Sequence, residues 1–514
     1  MGDDLAGDLD ASAGPEQPAD GLFSRAQRAK FRTKVQRCLD VFERMLAGQS
    51  FDGDESRMTG LEIELNLVDA HGQPTMRNAE VLNRIADPAF QTELGRYNIE
   101  LNVPPRTWSG SQVLDLEAML RASLDHATAM AEPADSEIVM IGILPTLRPE
   151  HFDTDWMSAN PRYQALDRAV FAARRENIEL DISSPGPLHG MPVERLHLYA
   201  DTIAPESACT SMQLHSQVPP RRFAAHWNAA QALAGPQLAL GANSPFLFGR
   251  RLWAETRIEL FLQATDTRSP ELANQGVRPV VFFGERWITS IFDLFEENVR
   301  WFPALLPETS DEDPAAELAA GRTPRLQELR LHNGTVYRWN RPVYDVVDGV
   351  PHVRVENRVL PAGPTVLDAL ANAAFYHGAV EMLAAEDRPV WTRMSFDAAT
   401  ANFVEGARVG VDATFYWPGF GQVPWDELVL RHLLPLADQG LARRGVDQVV
   451  RDRYLGVIRE RCLTRRNGAR WQTSTVAALE REGATRDEAL AEMLHRYARH
   501  MHTNDPVHSW PTAD

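Results

Sequence analysis

The sequence holds only two lysines, Lys30 and Lys34, among 52 basic residues, so fifty are arginines. A P-loop needs a lysine after its glycines, a protein kinase needs a strand lysine, and a pyridoxal-phosphate enzyme needs a Schiff-base lysine. None of these can be built after position 34. Cysteine is scarce as well. Cys38, Cys209 and Cys462 lie far apart with no CxxC pair, which argues against a disulfide framework or a cysteine zinc site and fits a reducing cytoplasm. Long apolar runs are missing: "IVMIGILP" from Ile138 falls far short of the ~20 residues a membrane helix needs, so no membrane partner is expected. Positive charge is in deficit too. The net charge is −19 and no Lys/Arg run appears, which disfavours nucleic acid as a partner.

What is there is the composition of an ordinary globular protein, 44% hydrophobic and 24% charged over 514 residues, enough for one large domain or about two to four smaller ones. The first 20 residues carry six acids and no Lys or Arg, with Gly and Pro and no apolar segment. They read as neither signal peptide nor anchor, and residues 1–24 are expected to be a disordered acidic tail. From Arg25 to Leu46, Phe31, Val35, Cys38, Phe42 and Met45 recur at helical spacing, with Gly48 as the stop.

Strand "TGLEIELNLVD" follows, then the turn "HGQP", a short helix around Val81–Ile85 and a second strand "YNIELNV". Ser109 with Gln112 has capping-box spacing ahead of a helix to Ala131, and "EIVMIGILP" reads as a buried strand. "SACTSMQLHSQV" alternates as a strand. Arg222–Leu240 is helical with Pro236 inside, and "RPVVFFG" is a further buried strand. "ETSDEDPAAELAAG" after Glu308 reads as a loop, and Asn333-Gly334 as the type I′ turn of a hairpin. "HVRVENRVLPAGP" gives one more strand. Beyond Asp368 the spacing is helical, down to the exposed-looking tail "MHTNDPVHSWPTAD". The order predicts an α+β fold with an antiparallel or mixed sheet.

Four of these strands share a design. In the first, Leu61, Ile63, Leu65 and Leu67 take one face, leaving Glu62 and Glu64 together on the other, about 6.6 Å apart along the strand. In the second, Asn98, Glu100 and Asn102 oppose Ile99, Leu101 and Val103, and Glu93 precedes Glu100 by seven residues. In the third, Ser211, Gln213, His215 and Gln217 oppose Met212 and Leu214. In the fourth, Arg354, Glu356 and Arg358 oppose Val353 and Val355. A solvated sheet with cross-strand ion pairs would give the same pattern. The first strand weakens that reading, because no cation lies within six residues after Glu62, and adjacent carboxylates repel unless a cation is shared or one is protonated. Carboxylate oxygens with one imidazole suit Mg²⁺ or Mn²⁺ better than zinc. With no lysine in reach, nucleotide phosphates held by metals and by arginines such as Arg358 and Arg338 are the ligands such a face suits.

At these residues, "GLEIE", "ELGRYNIELN", "ACTSMQLH", "NSPFLFG", "RWNRPV" and "RVENRVLPAGPT", the sequence resembles the bacterial carboxylate-amine ligase branch of the glutamate-cysteine ligases, whose catalytic domain is similar to that of glutamine synthetase. The motifs run in order from about Thr59 to Asp368. The resemblance implies a curved, mainly antiparallel sheet with a carboxylate-lined concave face holding two or three Mg²⁺ ions, and helices behind it. A catalytic domain over 25–386 and a helical C-terminal region over 387–514 packed on it are expected. The implied reaction uses ATP to phosphorylate a carboxylate, commonly that of glutamate, which an amine such as cysteine then captures as an amide.

By motif, Glu62, Glu64, Glu93, Glu100, His215 and Glu356 match metal-site residues. Arg358 matches an arginine on the transferring phosphate beside Glu356, and Gln213 and Arg257 join it as nucleotide-binding candidates. Arg338 and Arg341 are candidates for a substrate carboxylate or phosphate, with packing against tryptophans as the alternative. The bland readings go to Cys209 as a core residue, Asp125 and His126 as a solvated helix face, and "GFGQ" near Gly419 as too short for a phosphate loop. A hydrolase built on paired carboxylates and a non-catalytic nucleotide-binding descendant stay open beside the ligase. Small-molecule substrates are the expected partners. The amine acceptor and homo-oligomerisation are left open.

Overall fold

The structure, a computed structural model, describes residues 23–51, 57–186 and 192–512. The acidic tail expected over 1–24 falls almost wholly outside them. Seven strands make the main sheet: β1 (Thr59–Val68), β2 (Phe90–Thr92), β3 (Asn98–Arg106), β4 (Glu137–Val139), β5 (Ser211–Gln217), β6 (Asn340–Val347) and β7 (Val350–Pro361). Their order is β6-β7-β5-β1-β3-β2, with β4 added beside β1, and every pairing is antiparallel. The sheet curls into a half-barrel, as the α+β expectation of a curved antiparallel sheet requires.

Alternation builds the two faces. Leu61, Ile63, Leu65, Ile99, Met212 and Val355 are buried on one face, in a core shared with the helices behind it. Those helices include α1 (Arg25–Ala47), α2 (Asn78–Ile85), α3 (Gln112–Ala131), α5 (Pro220–Gly241), α6 (Gln327–Gly334) and α7 (Val366–Leu383), whereas α4 (Pro161–Arg174) buries Ala169 and Val170 in a second core. The first helix starts on a capping box at Ser24 and Gln27 and buries the residues its spacing selects, Phe31, Val35, Cys38, Phe42 and Met45. Farther along, α8 (Leu434–Arg443), α9 (Gln448–Thr464), α10 (Gly468–Arg481) and α11 (Arg486–Thr503) follow. A second core joins Val139, Ile141 and Ile143 after β4 to Trp471, Tyr497 and Trp510.

Several local expectations are corrected. The hairpin of β6 and β7 turns at Asp348-Gly349, both at positive φ (52° and 78°), as a type I′ turn requires. Asn333-Gly334 instead ends helix α6, where Asn333 is buried and its amide donates to Pro342 O at 2.8 Å. Tertiary packing of Leu329, His332 and Asn333 overrides the dipeptide's turn preference. Ser109 forms no capping box: α3 starts after Ser111, and Ser109 Oγ bonds the Gln112 side chain. The interior loop contains a short helix, Pro314–Ala319, capped by Asp313. "RPVVFFG" keeps only two strand residues, Val281–Phe282, parallel to Tyr337–Arg338. The C-terminal stretch is interrupted by a hairpin, Thr414–Trp417 with Gly421–Pro424, which absorbs "GFGQ" as its turn. The tail is not exposed at its end: Trp510 is 1% exposed, packed edge-on against Trp471 and Tyr497.

Candidate active site

The pairing register assembles the acidic face. Glu64 stands directly opposite Glu100, Glu62 opposite both Asn102 and Gln213, and Glu356 opposite both His215 and Arg341. On β1 the partner of His215 is Gly60. A Cβ there would lie 3.2 Å from His215 Cβ and 3.4 Å from the ring, so glycine leaves the imidazole its place on the crowded face. Glu93 follows β2 and completes the group: Glu64, Glu93 and Glu100 each bring a carboxylate oxygen within 4.8 Å of the others. All six sequence-selected metal candidates therefore share one face of the sheet.

Electrostatics divides them into two kinds. Burial, with Arg358 opposing it, leaves the Glu64 carboxyl raised. Its oxygens accept from Ser211 N at 2.6 Å, Ser211 Oγ at 2.9 Å and Gln213 Nε2 at 3.0 Å. Burial and then Glu64 push Glu93 up to about 8. Burial and the charges of Glu62, Glu93 and Glu64 hold Glu100 well above the usual carboxylate range. Like charges this close cannot all ionise without a cation. Glu62 and Glu356 behave oppositely: despite burial, His215 lowers Glu62, and Arg341 and Arg358 lower Glu356.

Arg358 is aimed by a bulge. Pairing of β7 with β5 runs to Asn357↔Leu214 and resumes at Leu360↔Met212, so one extra residue on β7 breaks the ladder. Its Nη1 donates to Gln213 Oε1 at 2.5 Å and to Glu356 Oε1 at 2.8 Å. Arg341 Nη2 binds Glu356 at 2.9 Å. His215 sits between two neighbours: its Nε2 lies 3.0 Å from Glu62 Oε1, off regular hydrogen-bond geometry, and its Nδ1 accepts from Arg354 Nε at 3.1 Å.

Two of the sequence candidates are held by other protein groups, although both line the cavity beside Glu64, Glu93 and Arg358. The Arg338 guanidinium bonds Asn298 Oδ1 through Nε and Nη2, lies 3.4 Å from Glu297 and stacks over Phe282, so its polar partners are on the helix Ile291–Trp301. Arg257 braces the bulge from behind, with Nε on Glu255 at 3.0 Å and Nη2 on Val359 O.

Two cavities flank the face. The smaller lies beside Glu64, Glu93 and Arg358 and is also lined by Glu206, Cys209, Tyr337, Arg257 and Arg338. The larger, mostly apolar, lies against Glu62, His215, Val103, Val350, His352 and Arg354. Glu206 was not among the sequence candidates. It stands outside every alternating strand, on the turn Ala204–Ala208, and no periodicity marks it. Cys209 touches the smaller cavity, but burial pushes its thiol well above the ordinary range and Sγ faces Arg257 O at 3.7 Å, which suits packing and not nucleophilic attack.

The residues fit a divalent cation. Three crowded carboxylates, two of them pushed strongly upward, offer only oxygen donors and have Arg358 as the main cation near them, a surplus of negative charge that a hard ion removes.

No curated protein matches the chain. The fold is similar to that of the glutamate-cysteine ligase of Francisella tularensis solved in complex with AMP, with a TM-score of 0.52 and 14% identity over 87% of this chain and 89% of that one. A bifunctional glutathione synthetase of Pasteurella multocida is matched at a TM-score of 0.49 and 14% identity, over 92% of this chain and 55% of that one. The model of glutamate-cysteine ligase family 2 (GCS2) matches residues 58–493, a span that takes in every residue of the acidic face and most of the helices behind it. The chain belongs to the glutamate-cysteine ligase family 2.

Proposed function

We propose that this protein forms a γ-glutamyl amide, the specific form of the ATP-dependent carboxylate-amine ligation that its family membership supports. The observation that carries the reading is the cluster of Glu64, Glu93 and Glu100 within 4.8 Å of one another, with Arg358 beside it at the edge of a cavity.

Glu64, Glu93 and Glu100 would hold one divalent cation, Mg²⁺ or Mn²⁺, with Glu62, His215 and Glu356 completing a site for two or three. When bound, such ions neutralise the β- and γ-phosphate oxygens of ATP. The protein's own groups do the rest. The apolar pocket of Val103, Val350 and Met58 suits a purine base, and Arg354 and His352 at its polar wall suit the ribose or phosphates. Arg358, fixed through Nη1 by Gln213 and Glu356, offers its remaining N–H donors to the phosphoryl group as it moves from ATP to the carboxylate oxygen. Glu356 keeps Arg341 and Arg358 in place and keeps their charge, because its own carboxylate stays ionised beside them. The carboxylate oxygen attacks the γ-phosphorus and ADP leaves. The amine nitrogen then attacks the acyl carbon, releasing phosphate and a proton.

Incubation with ATP, Mg²⁺, L-glutamate and hydroxylamine is expected to give the hydroxamate with one ADP per turnover. Neither product across a panel of carboxylates overturns the reading.

A further inference from the structure

The ligation chemistry above takes a proton from the attacking amine and leaves it without a destination in the protein. An alkylamine at neutral pH is an ammonium ion, and its nitrogen has no electron pair to attack with until a proton has gone. The group that takes it has to line the cavity beside Glu64, Glu93 and Arg358, where the acyl phosphate forms.

Most polar groups on that wall cannot serve. Glu64 already accepts three hydrogen bonds from Ser211 and Gln213, and with Glu93 it belongs to the cation cluster. Burial pushes the Tyr337 hydroxyl and the Cys209 thiol well upward, so both keep their own protons. The lining arginines can only donate. Arg338 is one of them: its Nη1 is buried with no hydrogen-bond partner among the described residues, which offers a ligand oxygen a donor but takes no proton.

Glu206 is the carboxylate that remains. It lies on the turn Ala204–Ala208, which leads through Cys209 into β5. The turn is pinned, since Glu206 N donates to Ile203 O and Cys209 N to Glu206 O, both at 2.9 Å, while Ser207 Oγ donates to Ala204 O at 2.6 Å. Its Oε2 is shut off from solvent and meets no hydrogen-bond partner among the described residues, although the side chain lines the cavity. An oxygen in that state is costly until an N–H reaches it. Burial, opposed by Arg358 and reinforced by Glu64, holds this carboxyl up at about 7, where it can accept a proton and release it again.

We propose that Glu206 is the general base of the amide-forming step, taking the proton from the attacking ammonium. This role rests on the ligase reading and adds a catalytic residue that the reading lacks. Between ammonium and amide the nitrogen sheds two protons. The first goes to Glu206 and then to water; the nitrogen's freed pair forms the C–N bond. The C–O bond to the phosphoryl group breaks, its electron pair leaves with phosphate, and the second proton departs on that phosphate.

Two classes of acceptor separate proton transfer from binding. Hydroxylamine is mostly neutral at pH 7 and attacks unaided, whereas ammonia, methylamine and the L-amino acids are mostly protonated. The full chain is assayed for ADP with ATP, Mg²⁺, L-glutamate and each acceptor in turn. In Glu206→Gln the ratio of hydroxylamine turnover to turnover of any protonated amine that the wild type accepts is expected to rise roughly 100-fold or more. An unchanged ratio, whether both rates fall together or neither falls, overturns the assignment. So does a wild type that uses hydroxylamine and none of the protonated amines. If Glu206→Gln does not fold, Glu206→Asp, whose carboxylate falls one methylene short, is expected to shift the ratio in the same direction, and no shift there overturns the role. A wild type that yields neither hydroxamate nor ADP from any carboxylate removes the ligase reading itself, so the hydroxylamine arm tells the two failures apart.

Discussion

Arg354 Nε donates to His215 Nδ1 at 3.1 Å, and this bond fixes the imidazole tautomer. With Nδ1 accepting, the ring proton sits on Nε2, the nitrogen that faces Glu62. A cation can bind Nε2 only if the proton moves to Nδ1 and Arg354 turns away to its other partners, Asp345 and His352. Replacing Arg354 by Gln, whose amide oxygen accepts from Nδ1–H, is expected to tighten Mn²⁺ binding about tenfold. Calorimetry checks this, and the gain should vanish in a His215→Ala background. A gain that persists there would be simple loss of a positive charge and would remove His215 from the ligand set.

Glu100 faces Glu64 across β1 and β3, and burial with the charges of Glu62, Glu93 and Glu64 pushes it well above the usual carboxylate range. Glu100→Gln keeps the shape and deletes one repelling charge. The metal-free variant is expected to melt no lower than the wild type, while Mg²⁺ no longer raises its melting temperature and ADP release falls roughly 100-fold or more. A large drop in melting temperature without metal would mean that Glu100 is structural and not a ligand.

The raised carboxyls give the metal-free protein an inverted pH response. Glu93 titrates near 8 in the fold, above the ordinary 4.5, so the folded state binds more protons than the unfolded chain between those values. Its contribution is present in full below pH 4.5 and is lost as pH rises toward 8. In the metal-free protein this term therefore falls from pH 5 to 8, and stabilisation by Mg²⁺ grows over the same interval, since the ion favours the ionised form. Melting curves with EDTA and with Mg²⁺ at several pH values test both signs; a metal increment independent of pH would contradict them.

A stability prediction lies far from the chemistry. Asp368, at the start of α7, binds Arg461 of α9 at 2.8 Å, accepts from Thr365 Oγ1 at 2.9 Å and accepts from Val507 N at 3.0 Å. Arg461 is 1% exposed, so Asp368→Ala strands a buried guanidinium. The expected cost is about 3–5 kcal/mol, read from denaturant unfolding. A loss under about 1 kcal/mol would mean that water replaces the carboxylate, with the existing bond from Arg461 Nη1 to Asn372 Oδ1 holding the guanidinium.

Much of the site was legible because two strand periodicities recur. Glu62 with Glu64, and Glu100 with its asparagines, oppose apolar faces within single strands, and that pattern needs no knowledge of the neighbours. The same logic failed where function sits off the ladders. Glu206 lies on a turn, and Arg338 is tied to Asn298 on a helix that no strand pattern reveals. The Asn333-Gly334 turn and the exposed tail failed for a different reason: contacts with distant chain, from Asn298 and Pro342 in one case and Trp471 in the other, outweigh local preference.

The sequence by itself determined the α+β class, the apolar and acidic faces of the strands, and the shortage of lysine that leaves arginines and carboxylate-bound ions to handle phosphate. Those follow from residue type and from a period of two, both of which are local. Only the tertiary structure decided that Glu64, Glu93 and Glu100 converge within 4.8 Å, that a bulge turns Arg358 toward Gln213, and that Glu206 faces the same cavity. These depend on register between strands that are not neighbours in the chain, and one residue of slip would send the strand acids to the opposite face.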